Sequence, residues 1–295
     1  EALQICGVLE EGGTPTANQL SDTARTLNML IKFWMTHGME LWLNEELVVF
    51  PIKNQRQYTF AASGASRMCR EEQLVTTKLN GIHNANATNL VVDDTTDMLA
   101  GDIIGVVTDT DGIHWTTIVS VNSSTGLTIT TGLSAAASDN DRVYTYTTAF
   151  TEKVLKIHNG WITTTDESRI PLNVNLSRQE YAMLSPAVSS SAGRINQVYY
   201  DPQNSSGLMN VFPVVSDTYT NDRIYLYVHR IVNDFDSATD DADFAQEWYL
   251  PLAYNLAMYI APKNGVPQDK FSMISSLAVQ TLAQVLNWDT EGTSI

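Results

Sequence analysis

Histidine and cysteine side chains most often supply metal ligands or nucleophile and base pairs, and this 295-residue chain has five histidines and two cysteines. None of the histidines has a second metal-type ligand at helical spacing. They are His37, His83, His114, His158 and His229. Cys6 and Cys69 are too few for a disulfide framework and lack the spacing of a zinc site. We therefore predict two reduced thiols in the core, which indicates assembly in an intracellular environment.

Two acidic segments could hold a cation. The sequence DTDG at residues 109–112 resembles the start of a calcium loop, but the twelfth position, where such a loop needs an acidic residue, is Ser120. We therefore predict a turn there. The second segment has five aspartates within residues 234–243, followed by Glu247, and no Lys or Arg. We interpret it as a solvated loop before a helix N-terminus, with binding of a divalent ion or a basic partner loop as the alternative.

Sequence signatures of the common catalytic classes are absent from the chain. It has no G-x-S-x-G elbow, no P-loop, no dinucleotide-binding glycine pattern and no H-E-x-x-H pair. An acidic chain has many carboxylates that could cleave glycans as a pair, but the sequence cannot show two of them about 5 to 9 Å apart across a cleft. We therefore predict a protein without catalytic residues, metal or cofactor.

The charge of the chain argues against one class of partner. It has 33 acidic and 17 basic residues, a formal net charge of −16. This balance repels nucleic acid and argues against a phosphate-gripping surface over the whole chain. No apolar run approaches the roughly 20 residues needed to cross a bilayer, and no signal peptide is recognisable. We expect a soluble chain without membrane contact, and we expect a few residues to precede Glu1 because the chain starts inside an apparent helix without Met.

Helix signals dominate the first 43 residues. The segment EALQICGVLEE is predicted as a helix that stops at Gly12 and Gly13. A second helix begins with Thr16 as N-cap and Gln19 three residues later, the spacing of a capping box, and ends at Gly38. Further on, ELVVFPI and RQYTF flank the polar KNQ and predict a short hairpin.

Residues 74–148 have a different composition, rich in Thr, Val, Ile, Asp, Asn and Gly. Six strand candidates are separated there by turn sequences: LVTTKL, TNLVV, DIIGVVT, IHWTTIVSV, GLTITT and RVYTYT. We predict an inserted all-β domain that folds by itself, a small barrel or sandwich. If Trp115, Tyr144 and Tyr146 were exposed, the domain could bind carbohydrate or capsule, although the alternation along IHWTTIVSV favours an inward Trp115.

Residues 149–295 mix strands and helices. Strands are predicted at KVLKIHNG, INQVYYD, LMNVFPVV and RIYLYVHRI, and a short helix begins near Ser177 with Glu180 as its capping-box partner. Two further helices close the sequence, the last from about 268 to 288 after Pro267. The first of them has more large aromatic residues than one buried stripe usually needs. These are Trp248, Tyr249, Tyr254 and Tyr259.

Four segments, in this order, resemble the head-to-tail adaptors of short-tailed bacteriophages, also called head-completion or tail accessory factors. The first segment, residues 1–42, resembles the family's L-N-x-M-L-x-x-W pattern and the glycine after it. Leu27, Asn28, Trp34 and Gly38 match in position, and Met29 and Leu30 stand one position early. The second, RIPLNVNLSRQEYAMLSP, matches at Arg169, Pro171, Leu172, Ser177, Glu180 and Tyr181. The third is the strand series from VYYDPQ to IYLYVHRIVNDFD. The fourth has E-W-x-x-x-L-x-x-N-L-A at Glu247, Trp248, Leu252, Asn255, Leu256 and Ala257.

The resemblance implies an α+β fold in which a helical-bundle core carries β-hairpin and strand extensions and an inserted small all-β domain. Residues 1–73 and 149–295 would form the adaptor core, and 74–148 the insertion. Two features depart from the family: Pro251 stands in the fourth segment where a non-proline is usual, and the smallest members lack the insertion.

The resemblance also implies a role: a structural virion protein at the head-tail junction, assembled in the host cytoplasm. It would form a ring, expected to be dodecameric, that docks under the portal protein, closes the DNA-filled capsid and offers its far side to tail or nozzle proteins. DNA would pass through the channel without specific binding, which agrees with the acidic composition. The alternative is a tail-associated peptidoglycan hydrolase, which would need a carboxylic acid of raised pKa near a second carboxylate in a cleft.

A ring subunit needs lateral and axial contact surfaces, so surplus apolar residues on the last two helices are candidates for contacts with the portal or a neighbouring subunit. In the last helix, packing within the subunit explains the stripe Phe271, Ile274, Ala278, Leu282 and Val285. The candidates for partner contacts are Trp248, Tyr249, Tyr254, Tyr259, Met273, Leu277, Leu286 and Trp288. We further expect residues after about Val266 to be partly mobile in the isolated protein and ordered on the portal.

Overall fold

The computed structural model describes residues 1–35, 43–61, 67–184, 192–232 and 245–288 of the chain. The protein is mostly β, with three antiparallel sheets and about 29% helix. The helical-bundle core implied by the resemblance is therefore wrong. The physical reason is where the apolar residues are buried: of four apolar clusters in the described residues, one is helical and three lie between or within sheets.

The first of two compact units consists of the two ends of the chain, Glu1–Asn44 and Val232–Ile295, and we call it the helical unit. In chain order the helices are α1 (Ala2–Ile5), α2 (Ala17–Met35), α3 (Arg178–Met183), α4 (Tyr249–Ile260) and α5 (Gln268–Trp288), and all but α3 belong to this unit. Helix α4 is central, because α1, α2 and α5 all contact it. The first helix is shorter than predicted, since Gly7 has the left-handed φ of 74° that ends helices.

Capping residues present in the sequence set the helix boundaries. The Gln19 N–H donates to Thr16 Oγ1 at 3.3 Å, and the Thr16 N–H donates to Gln19 Oε1 at 2.9 Å, so the predicted capping box of α2 is confirmed. Ser177 and Glu180 begin α3 in the same reciprocal way. Helix α5 has the bounds that the sequence predicts. The predicted stop at Gly38 lies outside the described residues.

The second unit, Glu45–Ile231, contains the three sheets. The strands are β1 (Asn44–Val49), β2 (Gln57–Phe60), β3 (Met68–Arg70), β4 (Val75–Lys78), β5 (Asn89–Val91), β6 (Ile103–Thr108), β7 (Gly112–Val121), β8 (Gly126–Ile129), β9 (Arg142–Tyr146), β10 (Val154–Thr163), β11 (Arg169–Pro171), β12 (Gln197–Pro202), β13 (Gly207–Phe212) and β14 (Arg223–Arg230). Their orders are β11-β10-β14-β1-β3, β12-β13-β2 and β4-β9-β6-β7-β8-β5. The five-stranded and three-stranded sheets share a core that includes Leu47, Tyr58, Val211 and Leu226.

The six-stranded sheet consists of the six strands predicted within residues 74–148, and each of these strands is confirmed. Because side chains alternate along a strand, the sheet has two apolar faces. Ile104 and Val143 lie in the sheet's own core. Tyr144 and Tyr146 lie on the other face and pack against Phe50, directly after β1 of the five-stranded sheet. The six-stranded sheet thus shares a core with its neighbour, and its independence as an inserted domain stays a prediction.

The predicted hairpin of ELVVFPI and RQYTF is wrong. Strand β1 joins the five-stranded sheet beside β3 and β14, whereas β2 pairs with β13 of the three-stranded sheet. Val49 of β1 and Phe60 of β2 are buried in the same core. The two strands therefore close that core as members of different sheets, which buries an apolar face of each.

Candidate partner-binding surface

The four aromatic residues at α4 have different surroundings. Trp248, in the turn before the helix, is fully buried, and its ring centroid lies 5.9 Å from that of Trp34. Tyr249, the next residue, is 46% exposed, and Tyr259 is 47% exposed. Tyr254 is half-buried. Trp248 therefore packs within the helical unit, and the surface of the unit presents Tyr249 and Tyr259.

Two residues of the fourth resembling segment fit α4 into the unit. Pro251 lies in the first turn of α4, where a missing N–H leaves no intrahelical bond unmade. Asn255 is 3% exposed, and its Nδ2 donates to the carbonyl oxygen of Pro251 at 2.8 Å and to that of Ala278 on α5 at 3.1 Å. Ile274 of α5 is also buried in the helical core. Helix α5 thus packs against α4 through buried residues, and the mobility expected after Val266 stays a prediction.

The side of α5 that faces away from α4 is uncharged. We define the α5 outer face as Met273, Ser276, Val279, Gln280 and Ala283, all of which are exposed. Met273 and Val279 are 59% and 65% exposed. The sequence has no Asp, Glu, Lys or Arg between residues 271 and 288. Solvent faces of helices usually carry charge, whereas the centres of protein interfaces are depleted in it.

The other predicted contact residues of α5 are less accessible than Met273. Leu277 and Leu286 are half-buried, and Leu286 packs against the helical core. The side chain of Trp288 lies outside the described residues. On α4 and α5 the sequence analysis missed two exposed apolar residues, Leu250 at 58% and Val279 at 65%. The signal for Val279 was the uncharged stretch together with its position on the helix opposite the buried stripe. Partner contacts at all these positions stay predictions.

A groove with a volume of about 350 Å³ opens between α1, α2 and α4. Its walls include six leucines, so we call it the leucine groove. They are Leu3, Leu9, Leu20, Leu27, Leu252 and Leu256. Tyr249 also lines it, and Glu1 is the only charged residue among those that do. The groove is therefore an apolar site, with no cluster of titratable groups that could perform chemistry.

The aromatic residues considered for carbohydrate binding lie between two sheets. Tyr144 and Tyr146 are each 1% exposed. The ring centroid of Trp115 lies 4.7 Å from that of Phe50, in an edge contact. Sugar binding would require ring faces that are open to solvent. Phe50, at the end of β1 in the five-stranded sheet, packs against these three rings instead. The inward orientation predicted for Trp115 is confirmed.

The six-stranded sheet also holds a pair of neighbouring carboxylates. The Ser138 N–H donates to Asp141 at 2.7 Å, and the Ser138 hydroxyl donates to Asp109 at 2.8 Å. Burial, and then the charge of Asp109, raises the pKa of Asp141. Such a pair is what a hydrolase would need, but neither carboxylate lines the leucine groove. Asp109 lies in the tight turn that joins β6 to β7, where Thr108 pairs with Gly112, so the turn predicted at DTDG is confirmed.

The described residues offer neither a cluster of metal ligands nor a membrane-spanning helix. Within the described ranges, no group of three or more His, Cys, Asp or Glu side chains is placed to hold a metal ion. No helix in that part of the chain is long and apolar enough to span a membrane. Cys6 and Cys69 are buried free thiols, and burial raises the pKa of both. His37 and the acidic run at 234–243 lie outside the described residues.

Comparisons with known proteins add a weak match to a capsid protein. No protein-family model matches the chain, and no curated protein matches it. Among solved structures, the chain is similar to VP17, a capsid protein of bacteriophage P23-77, with 12% sequence identity over 66% of this chain and 76% of that chain. The TM-score of 0.12 is too low to indicate a shared fold, so the match supports no conclusion about function.

Proposed function

We propose that the protein is a structural virion protein, the head-to-tail adaptor of a short-tailed bacteriophage. Copies of it form a ring, expected to be dodecameric, under the portal protein. The ring closes the DNA-filled capsid, attaches the tail or nozzle proteins and lets DNA pass through its channel. It is assembled in the host cytoplasm and acts at the head-tail junction without catalysis.

One observation carries the proposal: the two ends of the chain, which hold the first and fourth resembling segments, fold together. Trp34 is the tryptophan of the L-N-x-M-L-x-x-W pattern, and Trp248 is that of the E-W-x-x-x-L-x-x-N-L-A pattern. Their ring centroids are 5.9 Å apart in the core of the helical unit. Segments at opposite ends of the chain that resemble one family would be expected to meet in this way if they belonged to one ancestral unit.

The charge of the chain is compatible with a DNA channel. Each Lys or Arg that contacts phosphate adds affinity and would slow the passage of DNA. A ring of subunits with a net charge of −16 each would repel the duplex at its inner wall instead. This argument supports passage without binding, and it favours no particular surface as the channel lining.

Electron microscopy with the portal protein of the same virus tests the proposal. The purified chain is mixed with portal rings and imaged in negative stain, with portal rings alone as the control. A second ring stacked coaxially on the portal is the expected result. No stacked ring, together with hydrolysis of purified cell wall that one Asp or Glu substitution abolishes, would favour the hydrolase alternative instead.

A further inference from the structure

The leucine groove and the α5 outer face lie on different sides of the helical unit. Helix α4 lines the groove with Tyr249 and Leu256, whereas it bonds to α5 through Asn255. At 3.6 residues per turn, these two sets of side chains leave the helix in different directions. The outer face of α5 points away from α4, because Ile274 and Ala278 on its other side are buried. One copy therefore cannot bring the two surfaces together, but two copies can.

Electrostatics indicates which occupant fits the groove. Copies with a net charge of −16 repel each other wherever carboxylates come face to face. The α5 outer face has no charged residue, and the groove has only Glu1. These surfaces can meet without desolvating an ion pair or opposing like charges. Met273 and Val279 are exposed apolar side chains of the kind that a leucine-lined groove can bury.

We propose that the α5 outer face of one copy binds in the leucine groove of the next copy. Met273 and Val279 then become buried against the groove leucines. Because the two surfaces differ, the contact is heterologous and repeats head to tail until a ring closes. The inference rests on the proposed function for the ring itself and adds the two surfaces that form its lateral contact.

Two variants each disable one surface. Val279→Asp places a carboxylate on the α5 outer face, and Leu20→Asp places one at the groove, where Leu20 is 43% exposed. Leu99→Asp, at a residue 62% exposed in the second unit, is the matched control. In sedimentation velocity we expect the parent chain and the control to self-associate, and each variant to do so roughly 30-fold more weakly. Circular dichroism of each variant checks that it is folded.

Mixing the two variants tests whether the contact is heterologous. The Val279→Asp chain keeps an intact groove, and the Leu20→Asp chain keeps an intact α5 outer face. Their mixture should therefore form a dimer of one copy of each and nothing larger. If the mixture stays monomeric while the parent associates, the contact joins like surfaces or lies elsewhere, and the inference is wrong.

A cysteine pair tests the same contact without charged variants. Ala253→Cys places a thiol in the groove, and Val279→Cys places one on the α5 outer face. Under oxidising conditions the two chains should cross-link to each other in preference to themselves, with the parent chain as the blank. If no such cross-link forms up to the solubility limit of the protein, the inference is wrong. It is also wrong if native mass spectrometry finds a monomer with a small apolar molecule bound in the groove. Portal binding is scored separately: rings that cross-link as expected but do not bind the portal contradict the proposed function alone.

Discussion

Replacing Phe50 by alanine should destabilise the second unit strongly, because this ring joins two sheets. Phe50 is fully buried, and its centroid lies 4.7 Å from Trp115, 5.1 Å from Tyr144 and 6.4 Å from Tyr146. Buried Phe→Ala substitutions cost about 3–5 kcal/mol in lost transfer free energy and cavity formation. Since domains are stable by only about 5–15 kcal/mol, this loss should be large in a urea unfolding curve.

Cys69 offers a local assay of the same core. Its thiol is fully buried beside Phe50, and burial, with a smaller effect of the Glu71 charge, raises its pKa from 9.0 to about 12. A thiol must be exposed and ionised to react, so labelling requires opening. Phe50→Ala should accelerate alkylation of Cys69 by roughly a hundredfold to a few thousandfold if opening follows the stability loss. Cys6, in the helical unit, distinguishes local opening from unfolding of the whole chain.

The matched control removes the same ring from the other core of the unit. Phe60 is fully buried between the five-stranded and three-stranded sheets and contacts Phe150 and Tyr200. Phe60→Ala should cost a similar amount. If Phe50→Ala lowers the free energy of unfolding by less than about 1 kcal/mol while Phe60→Ala lowers it by several, the six-stranded and five-stranded sheets do not share a core. A chain lacking residues 76–148 would then fold normally, as expected if the six-stranded sheet is a separate inserted domain. We expect instead that the exposed Phe50 destabilises such a chain.

Three further outcomes follow from the buried polar and titratable groups and from α5. Asn255→Ala should lower the free energy of unfolding by about 1–3 kcal/mol in urea titrations, because it removes two buried hydrogen bonds, to the carbonyls of Pro251 and Ala278, each worth about 0.5–1.5 kcal/mol. A chain that ends at Gly265 should lose more helical circular dichroism than α5 itself contributes, because the truncation removes buried core residues such as Ile274. Unchanged stability of the truncated chain would show that α5 is dispensable. The free energy of unfolding should fall between about pH 9 and pH 12. In the unfolded chain the Cys69 thiol and the Tyr58 phenol ionise at their ordinary pKa values of 9.0 and 10.0, whereas burial raises both pKa values to about 12 in the fold. Over this range unfolding releases protons, so a higher pH favours the unfolded chain. Urea midpoints at about pH 8 and pH 10.5 check the sign.

Local signals identified strands better than they identified the fold. The six strands of residues 75–146 and the capping boxes at Thr16 and Ser177 depend on neighbours in sequence, and all were found. The pairing of β2 with β13 joins Phe60 to Gly207, far apart in the chain, and no local pattern specifies it. The helical-bundle core was taken from the resemblance of the chain ends, although most strand predictions already indicated a β protein.

Accessibility of the candidate surface was harder to predict, because it depends on which side of each helix meets a neighbour. Trp248 and Tyr249 are adjacent in sequence, yet one is fully buried and the other is 46% exposed. On α5 the sequence correctly separated Ile274 and Ala278 as the buried stripe. Among the apolar residues off that stripe it then selected Leu286, which is half-buried, and left out Val279, which is exposed. The absence of charge across residues 271–288 was visible in the sequence, and it means that whichever side of α5 is exposed carries no charge. Because the centres of protein interfaces are depleted in charge, this feature was a signal for a contact surface that the sequence analysis did not use.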